Sequence, residues 1–360
     1  MAAEPFTAEE LFTPEPFLPE GQTSSAVIDF YQRATPGQLQ RAADATCRRH
    51  HGNKVYLRGL MEFSNHCQVD CTYCGIRRSN QKVNRYRMSV EQLIDLAAQG
   101  WQAGLRTFVL QGGEDPWFTT DRVCQVLEGI AQLTQGQAAV TLSLGIRPRE
   151  SYRRFRASGA HRYLMRFETS DPALHLRLRG LTLARRLSAL DTLFEEGFEV
   201  GSGYMVGLPG ETEATRIANA LLCRERGFHM VGIGPFIPHG DTPLGSSPQQ
   251  PLDLVLRAVA LVRLLLPRAN LPATTAAGSL DKLGREKMLA WGANVLMPNI
   301  TPEDFKKNYL LYPGKICLDE SGFTCIGCLE ARTGLAGKEI CYDRGDSPAF
   351  LAQGGKEIWV

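Results

Sequence analysis

The chain has 360 residues, 43% hydrophobic and 22% charged, with a net charge of +2. That balance is ordinary for a globular protein, and it sets up no global field that would draw nucleic acid or an anionic membrane. No apolar run reaches the roughly 18 residues of a membrane helix. The opening MAAEPFTAEELFTPEPF lacks the basic and apolar regions of a secretory leader. We therefore expect no nucleic-acid or membrane partner, and a cytoplasmic protein (organellar in a eukaryote). In such a reducing setting the ten cysteines read as metal ligands where they cluster and as small buried apolar groups where they scatter, as at Cys47, Cys124 and Cys223.

Residues 1–50 are expected to form a helical extension. After them, short apolar segments at 55–63, 106–110, 139–144, 162–166, 199–206, 230–236, 271–276 and 293–297 read as strands. Amphipathic patterns at 89–103, 121–133, 149–157, 184–196, 211–226 and 252–266 read as the intervening helices. Ser89 with Gln92 three residues on is a capping-box signature. Gly104, Gly159, Gly197, Gly227 and Pro267 stand where helices should stop. The basic run Arg147, Arg149, Arg153, Arg154, Arg156 and Arg162 reads as a solvated helix face. Eight strand–helix units predict an α/β fold, a (β/α)8 TIM-type barrel over residues 51–300, with a C-terminal extension over 301–360; an open doubly wound sheet is the alternative.

A parallel barrel carries its chemistry at the C-terminal strand ends. The unusual residues of this chain fall there. They are a cysteine-rich loop after the first strand, QGGEDP at 111–116 after the second, Glu168 after the fourth, GLPG at 207–210 after the fifth and PHGDTP at 238–243 after the sixth.

The cysteine loop reads Cys67-x3-Cys71-x2-Cys74, with Tyr73 just before the third cysteine. Three thiolates can hold three irons of a [4Fe–4S] cubane and leave the fourth open to a chelating small molecule. Tyr73 places backbone where a purine could be met. A structural zinc site is the competing reading, but zinc wants four ligands, and His66 directly abuts Cys67. A second group, Cys317-x7-Cys325-x2-Cys328, with Cys341 as a fourth candidate, suits either an accessory Fe–S site or zinc.

C-x3-C-x-aromatic-C at the end of a first barrel strand resembles the radical S-adenosylmethionine (SAM) superfamily. The stretches LQGGEDP, TLSLG, RFETSDPALHLRLR, GYMVGLPGET, MVGIGPFIPHGDTPL, LPATTA, GANVLMPNITP and YPGKIC are similar, over residues 55–330, to the HydE family of [FeFe]-hydrogenase maturases in the biotin-synthase-like branch. The resemblance implies a [4Fe–4S] cluster on Cys67, Cys71 and Cys74 and a SAM whose cleavage yields a 5′-deoxyadenosyl radical. It implies cofactor binding by Tyr73, Gln111, Gly112, Gly113, Glu114, Thr141, Glu168, Arg186 and Met205. In that set Glu114 faces the SAM ammonium and Arg186, or Arg185 beside it, its carboxylate. It further implies catalytic positions at Arg166, Met230 and Tyr309, a substrate cavity including Thr274, Thr275 and Met297, and a variable accessory [2Fe–2S] or [4Fe–4S] site on Cys317, Cys325 and Cys328. The implied substrate is an organometallic iron compound carrying CO, cyanide and cysteine. The implied partners are a scaffold protein among the other hydrogenase maturases and an electron donor, with the chain itself a monomer. Two positions depart from the family pattern: Gly112 stands for a serine and Phe167 for a histidine. A biotin- or methylornithine-synthase-like enzyme and a non-catalytic Fe–S carrier are the alternatives. A biotin-synthase-like enzyme would want cysteines on interior strands for a sacrificial cluster; the GIGPFIPH stretch and the Cys317 group speak against a methylornithine-synthase-like one; and a carrier would leave Glu168, Arg186 and the loop at Glu114 unexplained.

Overall fold

Strands buried on both faces read as near-continuous apolar runs, and the strongest strand candidates of this chain do so. The computed structural model describes residues 22–319 and 322–354, apart from the side chains of Thr324 and Cys325. Its strands are β1 (Lys54–Leu57), β2 (Gly59–Ser64), β3 (Thr107–Gly112), β4 (Ala139–Ser143), β5 (Ala160–Leu164), β6 (Glu199–Val206), β7 (Met230–Pro235), β8 (Val295–Leu296) and β9 (Glu339–Cys341). Strands β2 to β7 pair in parallel and in sequential order. Every residue of β2, β6 and β7 is buried.

The sheet curls and closes through isolated bridges. Met230 of β7 bridges Asn270, Pro272 bridges Val295, and Leu60 of β2 bridges Asn299. Backbone bonds support each step: Val231 N–H to the Asn270 carbonyl at 3.0 Å, Ala273 N–H to Val295 at 2.8 Å and Leu60 N–H to Pro298 at 2.8 Å. The expected eight-position barrel is therefore present, with its last two positions thinner than the sequence suggests. Segment 271–276 is no strand, because Pro272 has no N–H to give a ladder and Thr274 caps the helix Thr275–Leu280. Segment 293–297 shortens to two residues between Gly292, at φ +104°, and Pro298. The expected strand 55–63 breaks at Arg58, yet β1 and β2 keep one register along the same neighbour, as Tyr56 faces Val295 and Leu60 faces Asn299.

The outer helices stand close to their expected places: Val90–Gln102, Thr120–Thr134, Arg149–Ala157, Leu183–Glu195, Glu213–Arg226 and Leu252–Leu265. Ser89 and Gln92 form the full capping box. A further helix, Pro172–Arg179, starts on Asp171 and stops at Gly180 in the left-handed region. The N-terminal helices Ser24–Arg33 and Pro36–His51 pack on Leu252–Leu265. Cys47, Cys124 and Cys223 are buried, as expected.

One expectation of the basic run fails. Arg149 and Arg153 do pair with Glu195 and Glu196 on the surface, but Arg162 is fully buried at the base of the barrel. Its guanidinium meets Glu199 at 2.7 Å, Asp346 and the Arg344 carbonyl. An ion pair of this kind survives burial because every donor finds an acceptor. The segment supplying Arg344 and Asp346 follows β9, which itself adds to β1. The chain after 340 thus closes the base, leaving the opposite end for chemistry. Among the described residues no helix is long and apolar enough to cross a membrane.

Candidate active site

Beyond β2 the chain runs irregularly from Asn65 to Asn80, and its backbone groups need partners from outside the sheet. Arg85 supplies many of them. Its guanidinium donates to the carbonyls of Asn65, of Ile76 at 2.8 Å, of Arg77 at 2.7 Å and of Asn80 at 3.1 Å. The Asn65 amide donates to the Asn84 and Asn308 carbonyls at 2.8 and 2.7 Å. The loop carrying Cys67, Cys71 and Cys74 is thereby wound around one cation.

The loop after β3 approaches it closely. The Gln68 N–H donates to the Glu114 carbonyl at 3.0 Å, and the Glu114 N–H lies 3.4 Å from Cys67 Sγ. Asp115 anchors the turn, accepting from Ser64 Oγ and Arg87 Nε, both at 2.7 Å. Burial works against the Asp115 carboxylate, but Arg87 and Ser64 outweigh it and hold its pKa below the ordinary value.

These loops frame a cavity of about 270 Å³ at the C-terminal strand ends. It is lined by Cys67, Cys71, Cys74, Tyr73, Gln111, Gly112, Gly113, Glu114, Arg166, Glu168, Arg186, Met205, Thr274 and Tyr309, all singled out from sequence. The other expected positions lie off this lining. Thr141 is buried on β4, with a hydroxyl that has no partner among the described residues. Met230 lies on β7, its sulfur accepting from Arg58 at 2.8 Å. Thr275 begins a helix and Met297 follows β8.

Charge is concentrated on one wall. Glu168 sits at φ +67°, a conformation uncommon for a side-chain-bearing residue and frequent at functional sites. Its carboxylate pairs with Arg166 at 2.8 Å and accepts from the Tyr73 hydroxyl at 3.3 Å. Arg186, buried, donates through Nε to the Arg166 carbonyl at 3.0 Å and stands 3.7 Å from Glu114. Arg185 is exposed, so Arg186 is the one that faces the cavity.

Arg179 was not anticipated. It donates to the Tyr73 hydroxyl at 2.9 Å and to Glu114 at 3.1 Å. The signal was present: Asp171-Pro172 starts a short helix and Gly180 ends it, which puts Arg179 in its last turn. Neighbouring Leu178 accepts the Thr72 N–H of the cysteine loop at 2.9 Å.

The residues present fit an iron–sulfur cluster. Burial pushes the thiols of Cys67, Cys71 and Cys74 up, and for Cys74 the neighbouring Cys71 and Cys67 add to it. Three thiols that resist ionising side by side are stabilised as thiolates by a cationic metal centre. Among the described residues no three His, Cys, Asp or Glu side chains converge as ligands of a single metal ion. A cubane demands less convergence, since each thiolate takes its own iron. In the C-terminal extension Cys317 is half-buried at φ +61°, and Cys328 is exposed on the helix Thr324–Leu335. The Cys325 side chain lies outside the described residues. Cys341, the fourth candidate, sits on β9 with its sulfur 3.1 Å from Asp343.

Residues 61–223 match the family model of the Radical SAM superfamily. The [FeFe] hydrogenase maturase subunit HydE of Thermotoga maritima is 46% identical over 308 residues, covering 85% of this chain and 88% of that protein. A 3-methylornithine synthase of Methanosarcina acetivorans is 27% identical over 258 residues, 71% of this chain and 72% of that one. Among solved structures, methylornithine synthase (PylB) superposes with a TM-score of 0.77 at 23% identity, over 89% of this chain and 95% of that one. The maturase HydG gives 0.74 at 17% identity, over 94% and 82%. These superpositions establish the shared barrel, while the extent and identity of the first match reach further: the chain belongs to the HydE family of [FeFe]-hydrogenase maturases, within the Radical SAM superfamily.

Proposed function

We propose that this protein cleaves SAM reductively and directs the resulting radical onto an organometallic iron substrate bearing CO, cyanide and cysteine, as a step in building the [FeFe]-hydrogenase active site. The observation that carries this reading is the meeting of the Cys67–Cys71–Cys74 loop with Glu114, Glu168 and Arg186 around one cavity. When bound, the [4Fe–4S] cluster and SAM together supply a 5′-deoxyadenosyl radical.

The protein's part is to bind, orient and shield. Cys67, Cys71 and Cys74 would hold three irons of the cluster. Glu114, with the backbone of Gln111, Gly112 and Gly113, suits the SAM ammonium. Arg186 suits its carboxylate through a charge-assisted bond, and Glu168 can accept from the ribose hydroxyls. Tyr73 and Met205 would flank the adenosine. Arg166, Thr274 and Tyr309 are left to face the substrate, with Met230, Thr141, Thr275 and Met297 farther from the opening. Leu164, Met165, Phe236 and Leu311 give the wall apolar surface, which helps to keep bulk water and dissolved molecules out of the site.

Cys317, Cys325 and Cys328 are assigned to an accessory Fe–S site not needed for the chemistry. The working unit is taken as a monomeric cytoplasmic barrel of residues 51–300 with its two extensions, served by an electron donor and delivering its product to a scaffold protein.

The test is anaerobic reconstitution, reduction and addition of SAM, followed by assay of 5′-deoxyadenosine and of apo-hydrogenase maturation. Cys67→Ala, Cys71→Ala and Cys74→Ala should each abolish 5′-deoxyadenosine, and Cys325→Ala should largely spare it. A wild-type protein that makes no 5′-deoxyadenosine would sink the enzyme reading, and equal loss in Cys325→Ala would move the second site into the chemistry.

A further inference from the structure

Five charged side chains line the cavity: Glu114, Arg166, Glu168, Arg179 and Arg186. Three cations therefore face two carboxylates. Arg166 and Glu168 form one pair at 2.8 Å. Glu114 is shared between Arg179 at 3.1 Å and Arg186 at 3.7 Å. Both of these arginines are more than nine-tenths buried, with exposures of 9% and 3%. Each also keeps an N–H that makes no hydrogen bond among the described residues, Nε of Arg179 and, of Arg186, the Nη1 that stands 3.7 Å from Glu114. A buried guanidinium donor without an acceptor is costly, and two cations on one carboxylate leave positive charge unbalanced. A ligand bringing a carboxylate would relieve both.

We propose that Arg179 recognises the carboxylate of the SAM amino-acid end directly, together with Arg186, and reaches it by exchanging partners with Glu114. The proposal rests on the SAM-binding reading above. The amino-acid end of SAM is a zwitterion: its ammonium takes Glu114, and its carboxylate takes the guanidinium that Glu114 gives up. Opposite charges stay paired throughout, so entry of the ligand strands no buried ion. The Tyr73 hydroxyl, accepting from Arg179 Nη1 at 2.9 Å, remains as a pivot while Nη2 changes partner. The planar fork suits a carboxylate bidentately, which a lysine ammonium cannot match. The Leu178 carbonyl bonds the Thr72 N–H of the cysteine loop, which ties the position of the arginine to that of the cluster ligands.

The experiment measures binding of SAM and of decarboxylated SAM to the reconstituted protein by anaerobic equilibrium dialysis, with the electron paramagnetic resonance spectrum of the reduced cluster as a second readout. Wild type, R179M, R179K and R186M are compared at equal iron content. R179M should weaken SAM by about tenfold to a hundredfold, as expected for a bond to a charged group, and should leave decarboxylated SAM almost unchanged. R179K should recover part of the preference for SAM, and it carries the test should R179M fail to retain its iron. Equal weakening of both ligands in R179M would reduce Arg179 to a support for Glu114 and overturn the proposal, as would unchanged SAM affinity. Failure of the underlying reading is distinct, because wild type itself would then bind neither ligand.

Discussion

At the scale of single residues, the site depends on how closely two loops can approach. A Cβ at Gly113 would stand 2.1 Å from the His66 carbonyl oxygen and 2.9 Å from Cys67 Cβ. Backbone cannot yield at that distance, so Gly113→Ala must push the Glu114 turn off the cysteine loop. The Glu114 N–H to Cys67 Sγ contact would go with it. We expect Gly113→Ala to fold but to hold less iron after anaerobic reconstitution, read by iron and sulfide content; wild-type loading would show that the loops separate at no cost. Gly112 is confined in the same way. A side chain there would meet the Phe63 ring at 2.8 Å, and Phe63 is pinned edge-on by Phe118 at 4.4 Å.

Among the elements, the segment over residues 308–317 closes one side of the cavity. Tyr309, Leu311 and Tyr312 form part of its wall. A buried ion pair helps to hold the segment down, beside the bonds from Asn65 to the Asn308 carbonyl and from the Gly75 N–H to the Leu311 carbonyl: Lys315 Nζ meets both oxygens of Glu62 at 2.6 Å and the Tyr309 carbonyl at 3.0 Å. Asn299 donates to the same carboxylate at 2.7 Å. Removing one partner of a buried pair costs about 3–5 kcal/mol, because the other charge is left uncompensated. Lys315→Met should therefore raise hydrogen exchange in residues 308–317, with the outer helices unchanged. Exchange identical to wild type would mean that the wall is held without the ion pair, by packing and by the bonds from Asn65 and Gly75.

The contrast between elements explains what could be read from the chain. Signals within a few residues were legible: the Cys67-x3-Cys71-x2-Cys74 spacing, the Ser89 capping box, six of the eight barrel positions and the loop at Glu114. For Arg179 only its place at a helix end was legible, and for the Glu62–Lys315 pair nothing was, because their partners lie 65 and 253 positions away in sequence. Arg162 was misread for a related reason. A basic residue in a basic run looks solvated, and it takes Glu199 on the neighbouring strand and the return of the chain at Asp346 to make its burial tolerable.

For the whole molecule, the thinnest part of the barrel wall is the closure between β7 and β2, which runs through isolated bridges and the two-residue β1–β8 pairing. A buried polar network stands in for the missing strand bonds. Arg263 donates to the carbonyls of Gly292, Pro267 and Ala269, each at 2.8 Å, and to Asn294 Oδ1 at 2.9 Å. Asn294 in turn donates to Asn270 at 2.8 Å. His51, the last residue of helix Pro36–His51, joins it 2.9 Å from Arg263. Burial, and then the Arg263 charge, push the pKa of His51 down to about 2. The sign of the consequence follows from linkage. Below the ordinary value of 6.5 the unfolded chain takes up a proton that the folded protein refuses. His51 therefore leaves stability intact above about pH 6.5 and erodes it as pH falls, by about 1.4 kcal/mol per pH unit. His161, lowered to about 3 by burial and then Arg344, adds a slope of the same sign. Native carboxylates held low, such as Asp115 and Asp346, act only further into acid. Urea titrations of wild type and His51→Gln at pH 7, 6 and 5 isolate the effect, since all other groups are common to both. The variant should be less stable at pH 7, having lost part of the network, and the gap should narrow toward pH 5. A gap independent of pH would mean that His51 can take up a proton where it lies, and the closure would then not depend on a neutral imidazole.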